Sequence, residues 1–410
     1  AGLGGGPSDG DAGGLIYFNG QSGRFEHVDF YFGQAAYGGA LYNPAAELSL
    51  HNSWINTNTA TYDGGAIYNA AGVMTMTVIE DMSGAYEATR FAGNVAGDNG
   101  GGVYNDSGRV ALIDNNFNLD PWGGQIVLNT AGRGGFLYNN TGDAYLSNNT
   151  IFSSTAQYGG ALYNNGGDMT LWGNWIARNI AGSGGNGGGL YVNGGTALLD
   201  YGNQFLHNHA EQNGGGVYHA SGSLTLWNTF LLTNTAYNEG AAVYLASGNG
   251  SVIHNTFYNN QGIQPTSRGG GVFMAGGSAE IRNSIFMDNA VGGLNGGGAI
   301  YVAAGTVGVD YNDYYNNQPN NVQGAGVGAN SLYFDPLFVD PIGKDFHLRR
   351  FSPVIDQGQS GLGVSHDFEN DPRPINTGPD MGADEYNACL AQVWRGGSPV
   401  SPIYGRIQQA

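Results

Sequence analysis

A five-residue unit recurs eleven times along this 410-residue chain: two small residues, a variable one, an aliphatic and an aromatic. The first copies read Gly13-Gly-Leu-Ile-Tyr17 and Gly38-Gly-Ala-Leu-Tyr42, and the last reads Gly297-Gly-Ala-Ile-Tyr301. Between them the aromatic position is held by Tyr68, Tyr104, Tyr138, Tyr163, Tyr191, Tyr218, Tyr244 and Phe273, at intervals of 25 to 36 residues. The two longest intervals point to insertions near Glu80–Ala88 and Asp120–Ala131. Repetition at such a period marks a stack of similar coils rather than a globular core.

The residues after each unit set the coil type. A short apolar alternation comes next, as in Leu48-x-Leu50, Val110-x-Leu112 and Leu224-x-Leu226; period two means strand. Asn then recurs two positions before an aromatic (Asn52/Trp54, Asn115/Phe117, Asn203/Phe205, Asn255/Phe257), and a third element reads aromatic-x-x-Asn (Phe91 to Asn94, Phe205 to Asn208, Phe286 to Asn289). No stretch carries a sustained apolar stripe of helical period. Three short strands with Gly and Asn corners describe one coil of a right-handed parallel β-helix. Strands of successive coils lie about 4.8 Å apart, so each repeat position becomes a column. The aliphatic column points inward and the aromatic column outward. Gly permits positive φ and close backbone approach at the corner, and stacked Asn amides can hydrogen-bond along the axis. One coil cannot stand alone. Its few inward side chains gain roughly 1.5–3 kcal/mol each, whereas ordering costs about 1–2 kcal/mol per residue.

Composition agrees with a packed rod. Gly accounts for 74 residues, yet 41% of the chain is hydrophobic and 12% aromatic, too apolar for a disordered Gly-rich polymer. Gly at every third position is absent, so collagen is excluded. With 32 acidic against 13 basic residues the net charge is −19, which excludes the basic face of a nucleic-acid binder and opposes docking on anionic lipid. No apolar run is long enough for a membrane-spanning helix. The single Cys389 cannot form an internal disulfide. The opening Ala1-Gly-Leu-Gly-Gly-Gly suits a mature start after small-residue cleavage.

The pairing of Gly-Gly-Ala-[Ile/Leu/Val]-Tyr with aromatic-x-x-Asn resembles the passenger repeats of polymorphic outer-membrane autotransporter adhesins. More broadly it is similar to bacterial secreted right-handed β-helix proteins of the pectate-lyase superfold, over about residues 13–317. The segments Asp335-Pro-Leu-Phe-Val-Asp-Pro, Ser352-Pro-Val-Ile-Asp-Gln-Gly358, Asp371-Pro-Arg-Pro374 and Asp380-Met-Gly-Ala-Asp-Glu-Tyr386 resemble the closing region of such proteins, which often precedes a cell-surface anchor. The resemblance implies an extracellular or surface location. It does not choose among adhesins, lyases, hydrolases and tailspikes, all of which use this fold. In this sequence 24 residues follow the closing motif, so a long translocator barrel is not expected within them.

The expected organisation is an entry segment and weak first coil (1–34), regular repeats (35–318), an irregular C-terminal cap (319–386) and an extended tail (387–410). Candidate chemistry is sparse. Asp114, Asp200, His51, His254 and Arg282 are read as one column directly after the second strand, alternating with Ser147, Trp172 and Trp227; a solvent-facing position tolerates that mixture, while a substrate groove is the sharper alternative. His207-x-His209-x-Glu211 has the spacing of three ligands on one strand face. Asp310, Asp313, Asp335 and Asp340 could gather around Ca²⁺ at the end of the rod, or simply cap turns. The column Tyr42 to Tyr301 offers rings for sugar stacking, for stacking on one another, or for burial against a neighbouring chain. Of four N-x-[ST] sequons (Asn105, Asn139, Asn148, Asn249), Asn148 falls beside the corner ladder. No catalytic or cofactor-binding residue is nominated. The expected function is a non-enzymatic extracellular structural or adhesive protein, with polysaccharide cleavage or glycan binding as alternatives. Self-association is expected through the tail, where Ile403, Tyr404 and Ile407 lie in an alternating segment suited to strand addition on a neighbour's edge.

Overall fold

The computed structural model of the chain describes residues 2–3, 12–77, 89–114, 126–387, 391–395 and 398–404. Among them there is no helix. Each circuit of the chain contributes one strand to each of three long sheets. The first holds 13 strands, from Gly2–Leu3 and Ile16–Tyr17 to Ile300–Val302 and Val322–Gln323. The second and third hold 11 each, running from Ser22–Glu26 to Thr306–Asp310 and from Asp29–Tyr31 to Asp313–Tyr315. Pairing between coils is parallel and residue-for-residue: Leu41, Ile67 and Val103 align, as do Tyr42, Tyr68 and Tyr104. The expected all-β parallel β-helix is present. It has one more element than expected, because a fourth short strand, such as Thr59–Ala60 or Thr235–Ala236, closes most coils.

The repeat letters are explained by their columns. Leu41, Ile67, Val103, Leu162 and Ile300 are buried, joined by Leu48 and Leu50 or Met74 and Met76 from the second sheet and by Phe91, Phe205 and Phe286 from the third. The two glycines of the unit have different jobs. Gly64 has φ +67°, and a Cβ there would meet its own coil at Ile67 O, 2.3 Å away. At Gly65 the clash is with the next coil, Gly101 O at 2.2 Å, so this residue sets how closely two coils approach.

Asparagine is divided in the same way. Three corner columns hold buried amides that hydrogen-bond from coil to coil. One runs Asn43, Asn69, Asn105, Asn139, Asn164 with Nδ2 to Oδ1 distances of 2.7–2.9 Å. Another includes Asn149, Asn174 and Asn203, continuing through Thr229, Asn255, Ser284 and Asn312. The third includes Asn179, Asn208, Asn234, Asn260, Asn289 and Asn317. A separate set, among them Asn52, Asn148, Asn228 and Asn283, takes up positive φ. The motif pairing Asn52 with Trp54 is therefore offset by one: the ladder residue of that coil is Ser53, whose Oγ accepts from Val28 N–H. Asn115 and Phe117, and the expected insertion near Glu80–Ala88, lie outside the described residues. The second insertion ends before Ile126 rather than at Ala131, because Ile126–Val127 pairs with Phe91–Ala92 and Ile151–Phe152 as an ordinary third-sheet strand.

The ends differ. Gly2–Leu3 runs antiparallel along Ile16–Tyr17 at the start of the first sheet. At the far end Val322–Gln323 extends that sheet, Gly328 donates to Val309 O at 2.8 Å and Tyr314 to Leu332 O at 3.0 Å, so residues 322–332 close the rod. The chain then doubles back. Residues 335–386 lie along the outer face of the third sheet, where Phe338, Phe346, Leu348, Val354 and Met381 pack on Ala177, Leu206, Phe230, Leu232 and Ile285. The closing segment is thus an end cap for a dozen residues and a flanking layer for the rest. In the tail, Ala391–Arg395 pairs antiparallel with Ser398–Tyr404, placing Gln392 opposite Ile403. Ile407 and Cys389 lie outside the described residues.

Candidate functional site

The aromatic column is a continuous pile of eleven rings from Tyr17 to Tyr301. Successive centroids are 4.7–5.3 Å apart and successive planes are within 3–18° of parallel. The residue-for-residue register of the first sheet dictates this, since the strand spacing matches the stacking distance of aromatic rings. Tyr104, Tyr138, Tyr163 and Phe273 are buried although they point away from the core. Tyr37 and Tyr158 cover the column edge-on, against Tyr68 and Tyr191. Burial pushes the Tyr191 and Tyr244 hydroxyls up to about 12 and those of Tyr68, Tyr104 and Tyr163 further. Of the uses considered for this column, the structure shows ring-on-ring stacking. Interior rings have both faces against neighbours, so a sugar has no ring face to lie on there.

The expected corner column splits. His51, Ser147, Trp172, Asp200, Trp227 and Arg282 do share a register, but with Ile113 and Ile253. Asp114 and His254 fall one residue later, at positive φ. Nor does the column simply face solvent: His51, Ser147 and Asp200 are buried, as is the displaced His254. For Asp200 and His254 the reason is the returning segment. Asp200 Oδ2 lies 3.2 Å from His366 Nε2, and the His366 ring stacks on Tyr201 with centroids 4.0 Å apart. His254 Nδ1 lies 3.0 Å from Asp380 O and its Nε2 2.9 Å from Asn283 Nδ2. Burial, with Arg373 nearby, holds this imidazole well below the usual histidine range, and so neutral. Arg282 reaches Gln359 Oε1 at 3.1 Å. These residues are docking points for the flank.

The other nominated ligand sets do not converge as groups of three or four. His207 has positive φ and meets Thr233 Oγ1, whereas His209 meets Thr235 Oγ1 and lies 3.5 Å from Glu211. Asp310 accepts from Asn330 N–H and Nδ2, Asp313 from Phe334 N–H, Asp335 from Leu337 N–H and Asp340 from Gly343 N–H. Each carboxylate fastens a turn of its own. Of the sequons, Asn105 and Asn139 are buried rungs and Asn148 donates to Asp114; Asn249 is exposed.

Charged groups do converge inside the flanking layer. Arg373 is buried and donates to Glu385 Oε2 at 3.1 Å and to the carbonyls of Asp380 and Gly382. Asp367 accepts from the N–H groups of Glu369, Asp371 and Glu385, and Asp380 from those of Asp356 and Tyr386. The closing motif is therefore a hydrogen-bonded knot. At its border His347, Glu369 and Asp384 place one ligand atom each within 4.8 Å of one another, the one such group of three among the described residues. Sequence reasoning missed it. A partial signal was present, because Asp345 and His347 are two apart on a strand and share a face, but Glu369 and Asp384 reach the site only through the fold.

Two grooves border these features. One, of about 520 Å³, is lined by Asn213, Asn238, Glu239, Thr266, Ser267 and Arg268. It abuts the ring column, since Arg268 pairs with Glu239 and donates to the Tyr301 hydroxyl at 3.2 Å. The other, of about 320 Å³, lies between the third sheet and the returning segment, with Leu206, Leu232, Tyr258 and Phe346 beside His207 and Lys344. Burial and the nearby Lys344 and Arg178 charges hold the His207 imidazole below its ordinary value. Comparison with family models, curated proteins and solved structures returned no match. The stacked parallel sheets support the resemblance seen in the repeats at the level of the β-helix fold.

Proposed function

We propose that this chain is a non-enzymatic structural or adhesive rod that works outside the cell. The observation that carries the reading is that the recurrent side chains are spent on joining coil to coil. The aromatics stack, the amides form ladders and the aliphatics fill the core, over eleven coils or at least ~50 Å of length. Such columns give stiffness and durability without constructing a pocket. Self-association belongs to the same reading. The terminal hairpin pairs with no other described strand, and its outer edge offers backbone groups to a sheet edge of a second copy. A non-closing repetition of that contact yields a filament.

A second reading, glycan binding, is favoured by the 520 Å³ groove rather than by the ring column. Amides, hydroxyls and a Glu–Arg pair are the groups that satisfy sugar hydroxyls. Electron microscopy and light scattering of the full chain across concentration, together with a glycan-array screen, test both. Filaments or specific glycan capture support the proposal. Release of reducing or unsaturated ends from acidic polysaccharides would overturn its non-enzymatic core.

A further inference from the structure

We propose that His347, Glu369 and Asp384 form a binding site for one divalent transition-metal cation of the zinc class, which fastens the returning segment. The three residues come from different stretches: the strand Asp345–Leu348, the turn after Asp367, and the closing motif. Their ligand atoms lie within 4.8 Å of one another. Around a tetrahedral ion with bonds near 2.1 Å, ligand atoms sit about 3.4 Å apart. His347 Nε2 and Glu369 Oε2 are already at 3.2 Å. The Asp384 carboxylate is buried and held by the Leu348 N–H at 2.7 Å, so one side of the site is rigid while Glu369, at the surface, can close on it.

Two further observations point to a cation. His347 Nδ1 is 2.5 Å from Asp345 Oδ1, and the same oxygen accepts the His347 backbone N–H. A carboxylate on one imidazole nitrogen orients the ring and directs the other nitrogen's lone pair outward, the arrangement that supports metal-bound histidine. Here that nitrogen is aimed at the Glu369 carboxylate, a contact that only a proton or a metal makes attractive. The charge count agrees. Asp345, Glu369 and Asp384 bring three carboxylates to one imidazole; against them stand Lys344, which lines a cleft with His347, and the buried Arg373, which hydrogen-bonds to Glu385 and two carbonyls and whose charge also reaches Asp384. A divalent ion relieves that excess; an imidazole nitrogen beside two carboxylates suits zinc, cobalt or manganese better than calcium.

The full chain, stripped with chelator and dialysed, is titrated with Zn²⁺, Co²⁺ and Ca²⁺ while metal content and thermal unfolding are followed. One equivalent of Zn²⁺ is expected, and metal at 100 times its Kd shifts the folding equilibrium about a hundredfold. Co²⁺ gives a visible absorption band, and Ca²⁺ at the same concentration gives no shift. Glu369→Gln, a surface change that leaves the fold intact, abolishes both effects, as does His347→Ala, whereas Asp340→Asn retains them. No stoichiometric zinc, an equal response in Glu369→Gln, or a response to Ca²⁺ alone would overturn the assignment.

Discussion

Tyr163 shows how a residue that points away from the core becomes part of the packing. Its ring is sandwiched between Tyr138 and Tyr191 at 4.9 and 4.8 Å and is 5% exposed. Period two alone implies that Tyr163→Ser is mild and Leu162→Asp destructive. The structure makes both severe. Leu162→Asp buries an unpaired charge and should prevent folding. Tyr163→Ser should cost about 3–5 kcal/mol, the range for emptying a buried aromatic site, read as a drop in the urea midpoint. A loss below about 1 kcal/mol would mean that the ring pile contributes nothing beyond its register. Asp313 carries a different test. It is buried at the closed end of the rod, and burial lifts its carboxyl to about 7, with Asp335 adding to the rise. The folded chain keeps a proton that the unfolded chain releases at about pH 3.9. The contribution of this carboxyl to stability is therefore fully present at low pH and is lost as pH rises from about 4 to 7. Asp313→Asn keeps the acceptor for Phe334 N–H and removes this group's share of the slope, a gain on the order of 4 kcal/mol at pH 8 for three pKa units, while the raised Asp367 and Asp380 carboxyls keep theirs. Identical melting curves for the two proteins from pH 4 to 8 would refute it.

At the scale of the coil, a ladder rung serves the strand on each side. Asn208 accepts from Asn179 N–H and Nδ2 at 3.0 Å, and donates to Ile176 O at 2.8 Å and to Asn234 Oδ1 at 3.1 Å. Asn208→Ala leaves a buried N–H and a buried carbonyl unpaired, each worth about 1–3 kcal/mol. Asn208→Ser should cost less, because Ser284 already serves as a rung by accepting Asn255 N–H at 3.1 Å. Equal losses for the two variants in a denaturant titration would show that the amide acts by shape alone. This level of structure was legible in the sequence because each column is written eleven times, so the aliphatic, aromatic and glycine roles could be read without knowing any contact. Errors of one residue, as for Asn52 against Ser53 or His254 against Ile253, arose at corners. There two adjacent positions carry similar letters, and only the φ sign separates them. The flanking layer was not legible for the opposite reason. Its contacts join residues far apart and occur once each, as between His254 and Asp380 or between Thr256 and Ala383, 126 and 127 positions apart.

For the whole molecule, the returning segment decides whether the rod is finished. A solenoid's stability is a sum over neighbouring coils, so the repeats do not need residues 335–387 to stack on one another. They need them to cover the third sheet, where Leu206, Phe230 and Leu232 face outward yet are 2–3% exposed. Removing the layer bares a contiguous apolar stripe together with Ala177 and Ile285, a surface of the kind that drives association. Without residues 335–410 the chain keeps a net charge of −15, which opposes aggregation, so association that proceeds despite it points to the stripe. A chain ended at Phe334 should therefore retain its β-sheet circular dichroism, bind a hydrophobic dye and elute as oligomers. One lacking only residues 388–410 should keep the same dichroism without the dye binding or the oligomers. If the shorter chain instead unfolds, the layer is a structural part of the coils it touches. If it stays monodisperse and dye-free, the stripe is too narrow to matter, and the segment's place lies with the charged groups it carries rather than with the surface it hides.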